Sequence, residues 1–233
     1  QRKQRNDVDI DENGTRWVTT TTAHLDPRKT VPGMRKQPME PKKMFDGLPL
    51  FGFDVIYVDP PWPFVNYSAK GEGRNPNRHY NTMSIEQIKE LPVGHLAAQN
   101  CVLFLWVTDP ILHEAMKTIE AWGFRYVTVA FTWAKRTKLD TGWHIGTGYY
   151  TRANPEMCLM ATNGRPGRPE SKAVRQLVVE PVREHSRKPD RIRSDIESMY
   201  PGKRYIELFA RTEIPGWTVW GNQTDKFNEG DDQ

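Results

Sequence analysis

The run Phe53-Asp54-Val55-Ile56-Tyr57-Val58 stops at Asp59-Pro60-Pro61-Trp62, and this junction constrains the fold more than any other part of the chain. β-Branched and aromatic residues dominate the run, so it reads as a buried strand. Two successive prolines fix φ and carry no backbone donor, so the strand cannot continue through them. The expectation is a rigid turn that projects Asp59 and Trp62 from the strand's carboxyl end. Taken alone, these four residues admit a second reading in which Asp59 opens an Asx turn and Trp62 is a core aromatic.

The segments that follow alternate strands with helices. Ser84 to Leu91 reads as a helix with a Ser84-x-x-Gln87 capping box and Ile85, Ile88 and Leu91 on one face, ended by Pro92. Cys101 to Val107 is a continuous apolar strand. Asp109-Pro110 then offers a cap and first-turn proline for a helix with core stripe Leu112, Ala115, Met116 and Ile119, closed by Gly123. Phe124 to Ala134 is a strand, Lys135 to Arg152 a polar, glycine-rich loop, and Met157 to Thr162 another strand. Pro189 opens a helix carrying Ile192, Ile196 and Met199, and Pro201-Gly202 stops it before a strand from Arg204 to Phe209. Such alternation predicts an α/β fold with a mainly parallel sheet and a ligand site beyond the strands' carboxyl ends.

With 233 residues, 37% hydrophobic content and eight tryptophans, the chain can bury one sizeable core. Residues 1–50 show no useful periodicity and read as an irregular or partner-dependent arm. Residues 51–226 form the expected domain, and 227–233 a polar tail. The arm's basic residues suit either nucleic-acid phosphates or plain solvation among acids. A net charge of +4 permits a polyanionic partner without requiring one. Cys101 and Cys158 lack the paired spacing of a zinc site or disulfide framework and read as reduced core residues, and no metal is expected. No apolar run spans a bilayer and no signal peptide opens the chain, so a soluble intracellular protein is expected, in cytoplasm or nucleus. A start at Gln1 fits a processed chain or a fragment.

The Asp59-to-Trp62 turn is followed, in order, by His79-Tyr80-Asn81-Thr82-Met83, Leu103-Phe104-Leu105-Trp106-Val107, His185-Ser186-Arg187-Lys188-Pro189, Ile206-Glu207-Leu208-Phe209-Ala210-Arg211, and Trp217 to Gln223. From about Phe53 to Asp225 the chain resembles the MT-A70 family of S-adenosylmethionine-dependent adenine-N6 methyltransferases, especially its compact bacterial and phage-type members. The resemblance implies a Rossmann-like methyltransferase fold in permuted order, the catalytic strand preceding the cofactor strand. It implies S-adenosylmethionine as cofactor, with Asp59, Lys188, Glu207, Phe209, Arg211, Asn222 and Gln223 around it. Lys188 would meet the methionine carboxylate and Asp59 the ammonium. Gly221-Asn222-Gln223 also reads as a plain turn. The segment from Arg211 to Trp217 is shorter than in the better-known eukaryotic members, so contacts near Glu213 do not transfer.

An exocyclic amine is a weak nucleophile because its lone pair is delocalised into the ring. Catalysis therefore asks for acceptors that orient the amine and a surface that stacks the base. Asp59 and the Pro60 carbonyl suit the first task, Pro61 the rigidity, and Trp62 the second. Substrate contacts are expected from the basic loop with Lys70, Arg74, Arg78, His79 and Tyr80, and from Lys135, Arg136, Arg152, Asn154 and Glu156. For Asn154 and Glu156 a loop cap and a surface ion pair are equally good readings. His185 reads as a structural hydrogen-bonding residue in preference to a general base. Nucleic acid is the expected partner, DNA ahead of RNA, with a partner subunit or homodimer also open. The competing readings are a noncatalytic nucleic-acid-binding subunit, an RNA adenine methyltransferase, and methylation of cytosine N4 or a glutamine amide.

Overall fold

The computed structural model describes residues 7–10, 16–19, 45, 47–63, 82–148, 150–184 and 187–221. Residues 1–38 and 39–233 form separate units. In the first, β1 (Asp7–Ile10) pairs antiparallel with β2 (Arg16–Thr19), from Ile10 opposite Arg16 to Asp7 opposite Thr19. The sequence had shown no strand here, because four residues are too few to establish a period of two.

The second unit is built on β3 (Phe53–Val58), α1 (Ile85–Lys89), α2 (Val93–Leu96), β4 (Ala97–Val107), α3 (Leu112–Ala121), β5 (Arg125–Arg136), β6 (Glu156–Asn163), β7 (Leu177–Pro181), α4 (Arg191–Met199), β8 (Tyr205–Leu208) and β9 (Trp217–Trp220). The sheet order is β7-β5-β6-β4-β3-β8-β9. Pairings are parallel except that β6 runs antiparallel to both β4 and β5. This is the mainly parallel α/β architecture of a Rossmann-like methyltransferase fold. The connection leaving β3 leads to β4 on one side, while β8 lies on the other side and leads away to β9. The carboxyl ends of β3 and β8 therefore flank a topological switch point, where open α/β sheets place their ligands.

Each sheet face buries its own cluster. Ile56, Val58, Leu103, Leu105, Ile206 and Leu208 pack under α1 to α3 through Ile88, Leu96, Ala115 and Ile119. Val55, Tyr57, Phe104, Trp106 and Cys158 pack on the other face under Ile192 and Ile196 of α4. Each such buried aliphatic or aromatic side chain contributes roughly 1.5–3 kcal/mol. Asp54, the polar residue in β3, turns outward, and its carboxylate accepts from the Arg204 backbone and guanidinium at 3.0–3.1 Å.

Local rules account for most helix ends. Ser84 caps α1 with both hydrogen bonds of the capping box to Gln87, and Gly123 closes α3 at φ +81°. The second unit also differs from expectation in several places. Pro92 ends α1 but also precedes the short α2, and β4 begins at Ala97, its start hidden by the exposed polar Gln99 and Asn100. Asp109 and Pro110 sit in a 3-10 turn, Asp109–Ile111, with no side-chain cap, so α3 begins later. The edge strand β7 carries no strong apolar alternation, because it is paired on one side alone. Both cysteines are free and buried. Among the described residues no helix is long and apolar enough to cross a membrane.

Candidate active site

Beyond Val58 the backbone tightens at once. The Trp62 N–H donates to the Pro60 carbonyl at 2.8 Å, a three-residue turn, and the Met83 N–H donates to the Pro61 carbonyl at 2.9 Å. The Pro60 oxygen, expected to face an incoming amine, thus already accepts one bond and keeps one lone pair for a second donor. The Trp62 indole is fixed as well. Its Nε1 donates to the Trp106 carbonyl at 2.9 Å, and Trp106 Nε1 donates to the Tyr57 hydroxyl at 2.7 Å. Trp62 stays half-buried, held by its edge.

Asp59, on the α4 side of the sheet, meets a chain of alternating charges. Lys188 Nζ lies 2.8 Å from Asp59 Oδ2 and 3.2 Å from Glu156 Oε2, and Lys135 Nζ lies 2.5 Å from Glu156 Oε1. Four elements supply these groups: the end of β3, the start of β6, the far part of β5 and the approach to α4. Lys188 also stands over the Trp106 ring at 5.5 Å. The Lys188 carbonyl accepts from Arg183 Nη2 at 3.0 Å, which fixes the segment before α4.

Burial sets the electrostatics. It pushes the Asp59 carboxyl above the ordinary carboxylate value, with Lys188 pulling the other way. For Lys188, burial disfavours the ammonium, but Asp59 and Glu156 outweigh it and raise its pKa. Burial alone would raise Glu156 too. Two lysines overcome it and hold that carboxyl at about 2. Of the two carboxylates on Lys188, Asp59 is thus the more readily protonated, and Glu156 stays ionised.

Of the sequence-predicted residues, Asp59, Pro60, Pro61, Trp62, Lys188, Glu156 and Lys135 are brought together. Lys135 was expected as a substrate contact. Instead it is mostly buried, paired with Glu156 and placed over Trp133 at 5.2 Å. Arg136 is likewise engaged, by Asp140 Oδ1 at 2.8 Å and the Trp143 ring at 4.8 Å. Asn154 acts on backbone: its Oδ1 accepts from the Lys135 N–H at 2.9 Å, and its Nδ2 donates to the carbonyls of Lys135 and His144. Arg152 is exposed.

Glu207, expected at the cofactor, is 7% exposed and lies within β8. Its two oxygens accept from Arg193 Nε and Nη2 of α4 at 2.7 and 3.0 Å, so its visible partner is structural. Phe209 follows β8 with φ of 61°, in the left-handed region that costs a bulky residue energy and often marks a ligand site. Its ring meets Trp220 edge-on at 5.3 Å. Next to it, a Cβ at Gly221 would lie 2.5 Å from the Ala210 carbonyl, so the ends of β8 and β9 approach as closely as only glycine permits. Arg211, two residues past Phe209, is half-buried at this strand end. Lys70, Arg74, Arg78, His79, Tyr80, His185, Asn222 and Gln223 lie outside the described residues.

Tyr57 and Trp106, which anchor Trp62 and underlie Lys188, had been read only as strand residues. Their apolar runs gave no sign that two polar tips meet across neighbouring strands.

The MT-A70 family model matches residues 53–223. The chain is 33% identical over 195 residues to the Type II methyltransferase M.MunI of Mycoplasma sp, covering 77% of this chain and 81% of that protein. It is 30% identical over 190 residues to the mouse N(6)-adenine-specific methyltransferase METTL4, covering 77% of this chain and 39% of that one. To the human N(6)-adenosine-methyltransferase catalytic subunit METTL3 it is 31% identical over 176 residues, 74% of this chain and 28% of the relative. The chain thus spans most of the bacterial relative and well under half of the two mammalian ones. With the matched region running from β3 through β9, the chain belongs to the MT-A70 family.

Proposed function

We propose that this chain transfers a methyl group from S-adenosylmethionine to the N6 amine of adenine in DNA. The observation that carries the reading is the opposition of Asp59 and Lys188 across 2.8 Å, beside Trp62 and at the switch point of the sheet. An α-amino-acid zwitterion needs one anion for its ammonium and one cation for its carboxylate. Asp59 and Lys188 are such a pair, so the donor set fits the methionine end of the cofactor. The strained Phe209 and the close approach at Gly221 put a second shaped wall at the end of β8, consistent with the adenosine end. Glu207, Arg211, Asn222 and Gln223 are assigned to that end by the resemblance.

When bound, S-adenosylmethionine supplies an electrophilic methyl group on a sulfonium. The chain's own work is positional. Asp59 and the free lone pair of Pro60 accept from the two amine hydrogens, turning the nitrogen lone pair toward the methyl group. Trp62, fixed through Trp106, stacks the base, an interaction worth roughly 1–3 kcal/mol. Once the methyl group had left sulfur for nitrogen, the cationic amine would carry an acidic proton that leaves to water, and the Asp59 carboxylate, its basicity raised by burial, would hold it in transit.

Adenine is favoured because two relatives carry adenine or adenosine N6 in their names. DNA is favoured because the chain resembles the compact bacterial and phage-type members and matches the bacterial Type II methyltransferase along 81% of its length, while Cys101 and Cys158, buried in β4 and β6, do not form the closely spaced pair of an RNA-binding zinc finger. Isothermal titration with S-adenosylmethionine, followed by nucleoside mass spectrometry of reacted DNA and RNA, tests the reading. N6-methyladenine in DNA is expected. No cofactor binding with nucleic acid present would instead mark a noncatalytic subunit. N4-methylcytosine, or turnover on RNA alone, would overturn the substrate assignment.

A further inference from the structure

Residues 137–148 leave β5 as an internally bonded excursion. The Thr137 hydroxyl accepts from the Thr141 and Gly142 N–H groups, the Thr137 N–H donates to the Gly142 carbonyl, and the His144 N–H donates to Lys135. An Arg136–Trp143 bridge and the Asn154 amide close its base. On this ordered frame three large apolar side chains point to solvent: Leu139 is 82% exposed, Trp143 56% and Ile145 71%. Tyr150, just beyond, is fully exposed. None belongs to either core cluster, and several large apolar side chains held in solvent on one short ordered excursion mark an interaction site.

Two further observations identify the occupant. Between residues 136 and 152 the chain carries Arg136, Lys138 and Arg152 against Asp140, and Asp140 is neutralised by Arg136. The surface is therefore apolar at its tip and cationic at its margins, complementary to stacked bases flanked by phosphates. Its root, Lys135, is joined to Asp59 through Glu156 and Lys188, so the excursion rises from the same sheet edge as the chemistry.

Resting on the function proposed above, we infer that Leu139, Trp143 and Ile145 form a wedge that enters duplex DNA and fills the space left when the target adenine turns out. The N6 amine of a paired adenine lies inside the stack and cannot meet Asp59 there. Apolar side chains inserted at the vacated step offset the lost stacking. With Arg136 paired to Asp140, Lys138 and Arg152 are the cations left for the adjoining phosphates.

The test compares unmethylated plasmid DNA, native and heat-denatured, with tritiated S-adenosylmethionine as donor. Trp143→Ala and Leu139→Ser should each lower the native-to-denatured rate ratio by about tenfold, with melting temperature maintained. Permanganate reactivity of thymines in the bound native plasmid reads opening without methyl transfer, and it should fall in both variants. An unchanged ratio, equal losses on both DNA forms, or loss of a dimer with the ratio intact would overturn the wedge; the last would make the surface a protein interface. Opening without methylation on any DNA would count against the proposed function and leave the wedge standing.

Discussion

Lys188 Nζ and Asp59 Oδ2 lie 2.8 Å apart across 129 positions of sequence. One ends the strand β3 and the other precedes the helix α4, so the fold closes a long loop to make this single ion pair. Glu156 makes Lys188 the centre of a triad, and the cation is satisfied even before a ligand arrives. A zwitterionic ligand entering here exchanges one ion pair for two.

Lys188→Ala should weaken S-adenosylmethionine binding by about tenfold or more, since a hydrogen bond between charged groups contributes about 1.5–3 kcal/mol. It should also destabilise the fold by about 1–3 kcal/mol, because the partly buried Asp59 carboxylate loses its cation while Glu156 keeps Lys135. Asp59→Ala leaves Lys188 paired with Glu156, so it should abolish methyl transfer at a smaller stability cost. Calorimetric titration and urea denaturation separate the effects; an unchanged dissociation constant for Lys188→Ala removes that residue from the site.

Acid should reveal Glu156. Its carboxyl titrates at about 2 in the fold against an ordinary 4.5, so it stabilises the protein above the latter value and loses that contribution as pH falls through the former. The shift corresponds to about 3 kcal/mol at most, and the upward shift of Asp59 offsets part of it. Glu156→Gln should therefore flatten the fall in urea midpoint below about pH 5. A slope equal to that of the parent protein would show that Glu156 is not held by its lysines.

Arg193→Met should cost about 3–5 kcal/mol by leaving the Glu207 carboxylate buried without its partner, and a second change, Glu207→Met, should restore part of the loss. Denaturant midpoints of the single and double variants measure it. If Glu207→Gln weakens cofactor binding while leaving stability intact, the carboxylate serves the ligand before it serves α4.

Asn154→Ala removes three hydrogen bonds to the backbone of Lys135 and His144. A stability loss of about 1–3 kcal/mol is expected from the unsatisfied groups. The excursion after β5 loses its clamp, so KM for nucleic acid should rise while the dissociation constant for S-adenosylmethionine stays put. Equal effects on both would place Asn154 in the cofactor site.

The amino-acid sequence by itself determined the elements whose causes are local. Phe53 to Val58 must be a buried strand because of its β-branched run and must stop at two prolines, and Ser84 with Gln87 must start a helix. Ordered motifs along the chain also marked the family. Tertiary structure alone decided which charges meet. Lys135 carries the same charge as any lysine on a basic loop, yet the antiparallel pairing of β5 with β6 sets it against Glu156. Glu207 sits in a motif that resembles a ligand site, yet the packing of α4 lays Arg193 across both of its oxygens. Tyr57, Trp106 and Trp62 are joined by two hydrogen bonds that follow from neighbouring strands and one turn. Periodicity reports which face a side chain takes, but a contact between strands far apart in sequence depends on sheet order and register, which no local pattern encodes.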